Sequence, residues 1–298
     1  ILDGFTVTGG ILYRDGGAGI QNVKVSPQYR NCVISGNSTN GIRDGNGGGM
    51  YIVGSSPTLV NCAFIGNTAD FGGGLYIAFN GTTSPTITNC SFSGNQASLN
   101  GGGIFCAATP NFNNCLVWGN EDEFHDSPSF LGRPTITNTV IKGQNLGAGI
   151  FNGNTNPLFV SQPTIGLGTA GDLRLQQCSP AINAGDPATT SATVGSLDLG
   201  GNPRFYNSGR IDIGAYEYQG TFDAVAPSAQ VTNSTCTTAG GTPSGGVISA
   251  PSSSCPAGSS LYYSTDNGGN WSTTVPTYIQ AGPAQTILTR CACDANPA

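Results

Sequence analysis

The 298-residue chain is poor in charge and rich in glycine. Charged residues make up 9% of it, 46 residues are glycine, and the net charge is −6 with a pI near 4.5. This composition is typical of a β-rich extracellular protein, and without a basic patch it excludes binding to nucleic acid. No run of about 20 apolar residues is present, so no membrane insertion is expected. The chain opens on Ile1 without a signal peptide, and we expect it to be part of a longer precursor.

One nine-residue pattern, typified by Leu59–Asn67, occurs five times between residues 29 and 144. A second motif lies between the copies. It consists of three small residues followed by two apolar residues, as in Gly72-Gly-Gly-Leu-Tyr. The cysteine of the pattern recurs at 32, 62, 90 and 115, with Thr139 in fifth place, so the spacings are 30, 28, 25 and 24 residues. Such periods indicate a solenoid, because a β-propeller needs about 40 or more residues per blade.

Within each copy, alternation with a period of two predicts one buried and one solvated face. Cys62 and Phe64, with Cys90 and Phe92 in the next copy, are predicted to face the core. The positions between them are predicted to face solvent; they are Ala63, Ile65, Ser91, Ser93, Leu116 and Trp118.

Two asparagine columns are predicted to form the corners of the coils, because Asn and Gly tolerate left-handed backbone. The first column is Asn31, Asn61, Asn89 and Asn114, and the second is Asn37, Asn67, Asn95 and Asn120. Stacked amides can hydrogen-bond from coil to coil. The cysteine column (Cys32, Cys62, Cys90 and Cys115) is interpreted as a ladder of buried thiols, with disulfides between neighbouring coils as the alternative.

The sequence therefore predicts an all-β chain. Residues 1–156 form a parallel β-helix, and 157–220 form its last coils and a C-terminal cap that covers exposed strand edges. Residues 221–227 are a linker, and 228–298 form a small Ig-like β-sandwich.

The C-terminal module holds two further motifs. Four cysteines are disulfide candidates with three possible pairings: Cys236, Cys255, Cys291 and Cys293. An Asp-box, Ser-x-Asp-x-Gly-x-x-Trp, is present at Ser264, Asp266, Gly268 and Trp271. A single copy of that motif is predicted to form a hairpin turn with a structural role.

The repeats resemble those of polymorphic outer-membrane proteins and of right-handed parallel β-helix proteins secreted by Bacteroidetes-type bacteria. The resemblance rests on Gly-Gly-Gly-(Ile/Leu/Met)-Tyr, on Phe-x-Gly-Asn and on the opening Ile1–Gly10, and it covers roughly residues 1–160. Residues 172–217 resemble the "choice-of-anchor" region of bacterial surface proteins, and the last module resembles adhesin domains. These likenesses imply the fold and a secreted, cell-surface location, and they are nearly silent on activity.

Three groups of residues are candidates for chemistry. The acidic stretch Glu121–Asp126 contains the sole histidine, His125, with Arg133 nearby, and we interpret it as a solvated loop. Asp198, Asp212 and Glu217 could form a catalytic or calcium cluster, but turn-holding carboxylates paired with Arg204 or Arg210 are favoured. Asp44 begins a calcium-like turn that lacks further acidic ligands. No cofactor and no metal are expected.

One aromatic column, Tyr51, Tyr76 and Phe105, has two possible orientations. Facing outward, it would form a stripe on which sugar rings could stack. We favour the inward orientation, because the preceding Met50, Leu75 and Ile104 would otherwise be the buried set.

The pattern as a whole favours a non-enzymatic structural or adhesive protein that self-associates head to tail. The residues expected to mediate assembly lie at the chain ends, where a coil and a sandwich strand appear incomplete: Ile1, Leu2, Phe5, Pro297 and Ala298. One alternative is a β-helix carbohydrate-active enzyme that uses Asp122, Glu123 and His125. Another is a module that binds surface polysaccharide through Tyr51 and Tyr76.

Overall fold

The computed structural model describes residues 1–13, 16–39, 45–127, 133–144, 153, 155–206, 210–220, 230–231, 248–249, 259–264, 272–273 and 288–293. The chain divides into two compact units, Ile1–Gln219 and Gly220–Ala298. Asp44 and the linker at 221–227 lie outside the described residues.

The first unit contains a solenoid of about five coils whose strands stack into four parallel sheets. Sheet A contains β1 (Leu2–Asp3), β5 (Gln28–Arg30), β9 (Thr58–Val60), β13 (Thr86–Thr88), β17 (Asn111–Asn113) and β20 (Thr135–Thr137). Sheet B contains β2 (Thr6–Thr8), β6 (Val33–Ser35), β10 (Ala63–Ile65), β14 (Ser91–Ser93), β18 (Leu116–Val117) and β21 (Val140–Ile141).

The other two sheets complete each coil. Sheet C contains β3 (Ile11–Leu12), β7 (Ser38–Thr39), β11 (Thr68–Phe71) and β15 (Gln96–Asn100). Sheet D contains β4 (Ile20–Val23), β8 (Met50–Val53), β12 (Leu75–Ile77), β16 (Ile104–Cys106) and β19 (Phe124–Asp126). The predicted parallel β-helix is thus confirmed.

The interior consists of like residues stacked in register from coil to coil. Phe64 pairs with Phe92 in sheet B, and their rings stack at 4.6 Å with an interplanar angle of 8°. Leu59 pairs with Ile87 in sheet A, and both are fully buried. Cys32, Cys62, Cys90 and Cys115 are buried free thiols in this core. Burial raises the pKa of the Cys62 and Cys90 thiols, so they act as small apolar groups.

The two asparagine columns differ in structure: the first supplies left-handed backbone at its corner, and the second supplies buried side chains. Asn31, Asn61, Asn89, Asn114 and Asn138 turn the chain from sheet A to sheet B with left-handed φ values of 44–54°. At the next corner, glycines such as Gly66 (φ 57°) adopt the left-handed conformation, and the following asparagine points inward. These inward amides form a buried ladder in which Asn67 donates to Asn95 at 2.9 Å and Asn95 donates to Asn120 at 2.8 Å.

Residues 155–206 and 210–219, the lateral segment, pack along the side of the solenoid. This segment contains the antiparallel pair β22 (Phe159–Ser161) and β23 (Asp172–Leu175) and one short helix, α1 (Ser191–Val194). Its apolar side chains form a second core with the outer face of sheet B. Residues 157–220 were predicted to form the last coils and a C-terminal cap; the contacts of the described part lie along the side of the solenoid.

In the second unit the described strands form two antiparallel pairs. β24 (Gln230–Val231) pairs with β25 (Ile248–Ser249), and β26 (Ser259–Ser264) pairs with β27 (Leu288–Cys293). In the part of the chain that the structure describes, no helix has the length and apolarity needed to cross a bilayer.

Candidate functional site

The outer face of sheet B is buried, which corrects the prediction of a solvated face. Ala63, Ile65, Ser91, Ser93, Leu116 and Trp118 are all at most 8% exposed. The lateral segment covers them with Phe159, Leu173, Leu175 and Ile213. Both serines are used in the contact: Ser91 Oγ accepts the N–H of Ala215 at 2.9 Å, and Ser93 Oγ accepts Gln162 Nε2 at 2.6 Å. These six positions are therefore not available to a ligand.

Glycine at the corner between sheets B and C lets the lateral segment approach the solenoid backbone. The N–H of Gly168 donates to Gly66 O at 3.0 Å, and the N–H of Gly166 donates to Gly94 O at 3.0 Å. A Cβ on Gly66 would overlap the carbonyl group of Gly168. Gly66 and Gly94 are therefore needed for two reasons: their φ values are positive, and a side chain at either position would obstruct docking of the lateral segment.

Arg204 is the centre of a buried charge cluster under the lateral segment. It is completely buried, and its Nη2 donates to Asn61 Oδ1 at 2.8 Å and to Gly214 O at 2.9 Å. Its Nη1 lies 3.5 Å from Glu217 Oε2. The guanidinium thus connects the lateral segment to an asparagine corner of the solenoid.

The three carboxylates around Arg204 hold turns, in agreement with the interpretation favoured from the sequence. Asp198 Oδ2 accepts the N–H of Glu217 at 2.8 Å, and Glu217 Oε2 accepts the N–H of Asp212 at 3.0 Å. Asp212 accepts the N–H groups of Asn183 at 2.7 Å and Tyr218 at 2.6 Å. Desolvation raises the pKa of Asp212 to about 6 and that of Glu217 to about 8, the latter with repulsion from Asp212. Arg210 instead donates to the carbonyl groups of Ala184 and Gly185.

The acidic stretch at 121–126 is part of the solenoid, which corrects its interpretation as a solvated loop. Phe124–Asp126 is strand β19 and extends sheet D. Glu123 is 9% exposed and terminates the asparagine ladder, because its Oε2 accepts Asn120 Nδ2 at 2.6 Å and Oε1 accepts the N–H of Gly119 at 2.8 Å. Desolvation raises the pKa of Glu123. Asp122 Oδ2 accepts the main-chain N–H of Gly101 at 2.7 Å.

His125 and Asp126 point to different partners. The imidazole of His125 stacks on Phe105 with a centroid distance of 5.0 Å, and Asp126 forms an exposed ion pair with Arg133 at 2.7 Å. Asp122, Glu123, His125 and Asp126 are thus each held by a separate contact. Among the described residues, no group of three or more His, Cys, Asp and Glu side chains has the arrangement of a metal site.

The aromatic column faces outward, so the favoured inward orientation is wrong. Met50, Leu75 and Ile104 are fully buried, whereas Tyr51 and Tyr76 are partly exposed.

The rings of this column stack on one another. The Tyr51–Tyr76 centroid distance is 5.5 Å, and Tyr76 lies 4.8 Å from Phe105 at an interplanar angle of 4°. Both faces of Tyr76 are consequently covered. The column presents ring edges to solvent, and a sugar ring needs a free aromatic face for stacking.

A polar groove of about 540 Å³ lies on the outer face of sheet C. Its walls include Thr39, Thr68, Asp70, Gln96, Ser98 and, from the lateral segment, Leu167. Asp70 is held by Ser98 Oγ at 2.6 Å and by the N–H of Gly45 at 2.9 Å. Thr39 Oγ1 is buried and has no hydrogen-bond partner among the described residues, which do not include the adjoining 40–44. The groove was not predicted from the sequence, because one of its walls, Leu167, comes from a segment distant in the chain.

The remaining predicted residues are distributed as follows. Ile1 and Phe5 are 86% and 56% exposed on the first coil, and Leu2 packs partly on the core. Ser264 ends β26, and Cys291 and Cys293 lie on β27. The others lie outside the described residues: Cys236, Cys255, Asp266, Gly268, Trp271, Pro297 and Ala298. Disulfides in this module and the Asp-box turn stay predictions.

Comparison with protein families matches residues 3–127 to the model described as "Right handed beta helix region". No curated protein and no solved structure matches the chain. Together the family match and the stacked coils support a right-handed parallel β-helix protein. This fold is found in enzymes and in structural or adhesive proteins, so the fold alone does not determine function.

Proposed function

We propose that the protein is a non-enzymatic structural and adhesive component of a bacterial surface, secreted and self-associating head to tail. The observation that carries the non-enzymatic role is the use of acidic side chains to hold main-chain N–H groups. Six carboxylates of the described residues do so: Asp70, Asp122, Glu123, Asp198, Asp212 and Glu217. A glycosidase needs two carboxylates free to face one substrate.

The finer organisation is part of the same proposal. The lateral segment acts as an anchor-type cap of the solenoid, and the second unit is an Ig-like, adhesin-type β-sandwich. The likeness of residues 172–217 to anchor regions and the antiparallel strand pairs of the second unit support this organisation. The low charge of the chain supports an extracellular location.

Head-to-tail association is supported by the first coil. Within these 298 residues, strands β1, β2, β3 and β4 are each the last strand of their sheet, and the edge of such a strand can pair with a strand of another chain. Exposed apolar side chains lie beside these edges: Phe5 is 56%, Ile11 59% and Tyr13 71% exposed. A neighbouring chain that stacked on this coil would continue the four sheets and cover those side chains. Because such a contact joins unlike surfaces, it would give an open filament.

The test is negative-stain imaging and sedimentation of the purified 298-residue chain. We expect concentration-dependent filaments that are lost in Phe5→Asp. The matched control is Phe79→Asp, which adds the same charge at a residue 41% exposed after the third coil, and it should still assemble. Monodisperse wild-type monomers at high concentration would refute the assembly.

A further inference from the structure

We infer that the outer face of sheet A binds the ordered surface of ice. The inference deepens the adhesive role proposed above by naming the material that is bound, and it rests on that role only for its biological purpose. The face carries one column of short, uncharged polar side chains, with one residue from each strand after β1. This outer column consists of Gln28, Thr58, Thr86, Asn111 and Thr135.

The outer column is in register, and its polar groups are not used by the fold. Strand pairing places Thr58 opposite Thr86, and Asn111 opposite Thr135. Gln28, Thr86, Asn111 and Thr135 are exposed, and Thr58 is partly exposed. Within the described part of the chain, no side chain of the column forms a hydrogen bond. Their hydroxyl and amide groups are therefore available to a surface outside the chain.

A second column lies beside the outer column, two residues earlier in each coil. Its members precede the proline that leads into sheet A, and they are Ser26, Ser56, Ser84 and Thr109. Ser26 Oγ accepts the N–H of Ser56 at 2.9 Å, and Ser56 Oγ accepts the N–H of Ser84 at 3.0 Å. The two columns form a two-dimensional array with rows about 4.8 Å apart and columns roughly 6.6–6.8 Å apart.

The array has defined borders. On the side toward sheet B, Val60 is buried, and Asn113 Nδ2 donates to Asp186 of the lateral segment at 3.2 Å. At the last coil, Arg133 takes the fifth place of the second column and pairs with Asp126. The uncharged area therefore spans the coils before Arg133.

The members of the outer column share small size and the lack of charge. Strand propensity alone does not explain this set, because threonine is common in strands whereas asparagine is depleted from them, and Asn111 occupies the same column. Exposed positions are commonly occupied by charged side chains, and none is present in this column. The column is thus uniform in its chemistry as well as in its spacing.

This chemistry fits a lattice of water better than other partners. Small-molecule sites are concave, whereas the two columns project from the outside of a solenoid. Protein interfaces are centred on Trp, Tyr and Arg, and the columns before Arg133 contain none of these. A crystalline polysaccharide presents apolar sugar faces on which aromatic rings stack, and neither column has a ring. Hydroxyl and amide groups, by contrast, can occupy the places of water molecules in a hydrogen-bonded lattice.

The solenoid fixes the array before it meets a ligand. Leu59 and Ile87 lie fully buried beneath the outer column and hold its strands in place. Both repeats of the array are close to oxygen–oxygen repeats on the faces of hexagonal ice. Because the threonine side chains are short and stiff, little conformational entropy is lost when they contact such a lattice. Each contact is weak, and the regular spacing lets many form together.

The test measures partition of the full chain into slowly grown ice and inhibition of ice recrystallisation. We expect wild type to be enriched in the ice relative to serum albumin and to inhibit recrystallisation. Thr86→Lys and Asn111→Lys should each lose both effects, because a long charged side chain in the middle of the column holds the face off the lattice. The matched control Thr164→Lys, at an exposed threonine of the lateral segment, should retain both. All three sites are exposed, so the Tm should be unchanged.

Three results would overturn the inference. The first is partition of wild type equal to that of serum albumin, with no effect on recrystallisation. The second is ice activity that Thr86→Lys and Asn111→Lys both retain. The third is pelleting of wild type with microcrystalline cellulose or chitin that these variants lose, without any effect on ice, which would identify a polysaccharide surface instead. Negative-stain imaging separates this inference from the assembly, because Thr86→Lys should still form the filaments of wild type.

Discussion

Asn95 is the residue whose replacement tests the asparagine ladder most directly. Its side chain is fully buried and makes four principal hydrogen bonds. Nδ2 donates to Phe64 O at 2.9 Å and to Asn120 Oδ1 at 2.8 Å. Oδ1 accepts Asn67 Nδ2 at 2.9 Å and the main-chain N–H of Asn67 at 3.0 Å. We therefore expect Asn95→Ala to be among the most damaging single substitutions in the solenoid.

The size of the effect follows from what each partner retains. Asn67 Nδ2 still donates to Ile34 O, and Asn120 Oδ1 still accepts the N–H of Asn95. The main-chain N–H of Asn67 loses its acceptor and stays buried, at a cost of about 1–3 kcal/mol. Loss of the other three bonds costs about 1 kcal/mol each. The expected decrease in the free energy of unfolding is about 4–6 kcal/mol.

Urea denaturation followed by tryptophan fluorescence measures this loss. In a Trp271→Phe background the signal comes from Trp118 alone, which is buried between the solenoid and the lateral segment. The matched control is Asn111→Ala, at an exposed position of β17, where a change within about 0.5 kcal/mol is expected. A loss of less than about 1 kcal/mol for Asn95→Ala would refute the role assigned to the ladder.

The other predictions concern the lateral segment and its buried charges. Gly66→Ala and Gly81→Ala both place alanine at positive φ (57° and 72°), at a cost of about 1–2 kcal/mol, but only the first also meets the lateral segment. Gly66→Ala should therefore lose at least about 2 kcal/mol more in denaturation, and equal losses would contradict the docking. Arg204→Met should destabilise by about 3–5 kcal/mol, since it leaves the buried Asp198 and Asp212 without their cation. An unchanged free energy of unfolding in Arg204→Met would contradict the role given to this residue. Because the fold raises the pKa of Glu217 from 4.5 to about 8, it favours the protonated form. The stability from this group is complete at low pH and is lost as pH rises through that window, so Glu217→Gln should flatten the pH dependence of unfolding. A wild-type profile with no such fall, or one that Glu217→Gln leaves unchanged, would contradict the assignment.

The solenoid was predictable because its information is local and repeated. Alternation around Phe64 and Phe92 specifies the interior of every coil, and the structure confirms the parallel β-helix. The outward faces were not predictable in the same way. Ala63 and Trp118 belong to a core whose other residues lie about 40 to 150 positions later, and no periodicity connects those stretches.

The orientation of the aromatic column was misjudged for a related reason. In a strand with two neighbouring apolar residues, such as Leu75-Tyr76, the sequence pattern does not decide which of the two faces the core. The coil places Leu75 in the narrow core and leaves Tyr76 to stack on its neighbours from outside. The groove on sheet C likewise includes Leu167, which the docked lateral segment brings there.

The central claim is that the acidic side chains of this β-helix hold its backbone and do not cleave a substrate. The direct measurement is prolonged incubation of the purified chain with neutral and acidic polysaccharides, followed by assay of new reducing ends and of unsaturated products. The account predicts no products above the level of a buffer control. Products that disappear in folded Asp122→Ala or His125→Ala variants would contradict it and would identify an enzyme.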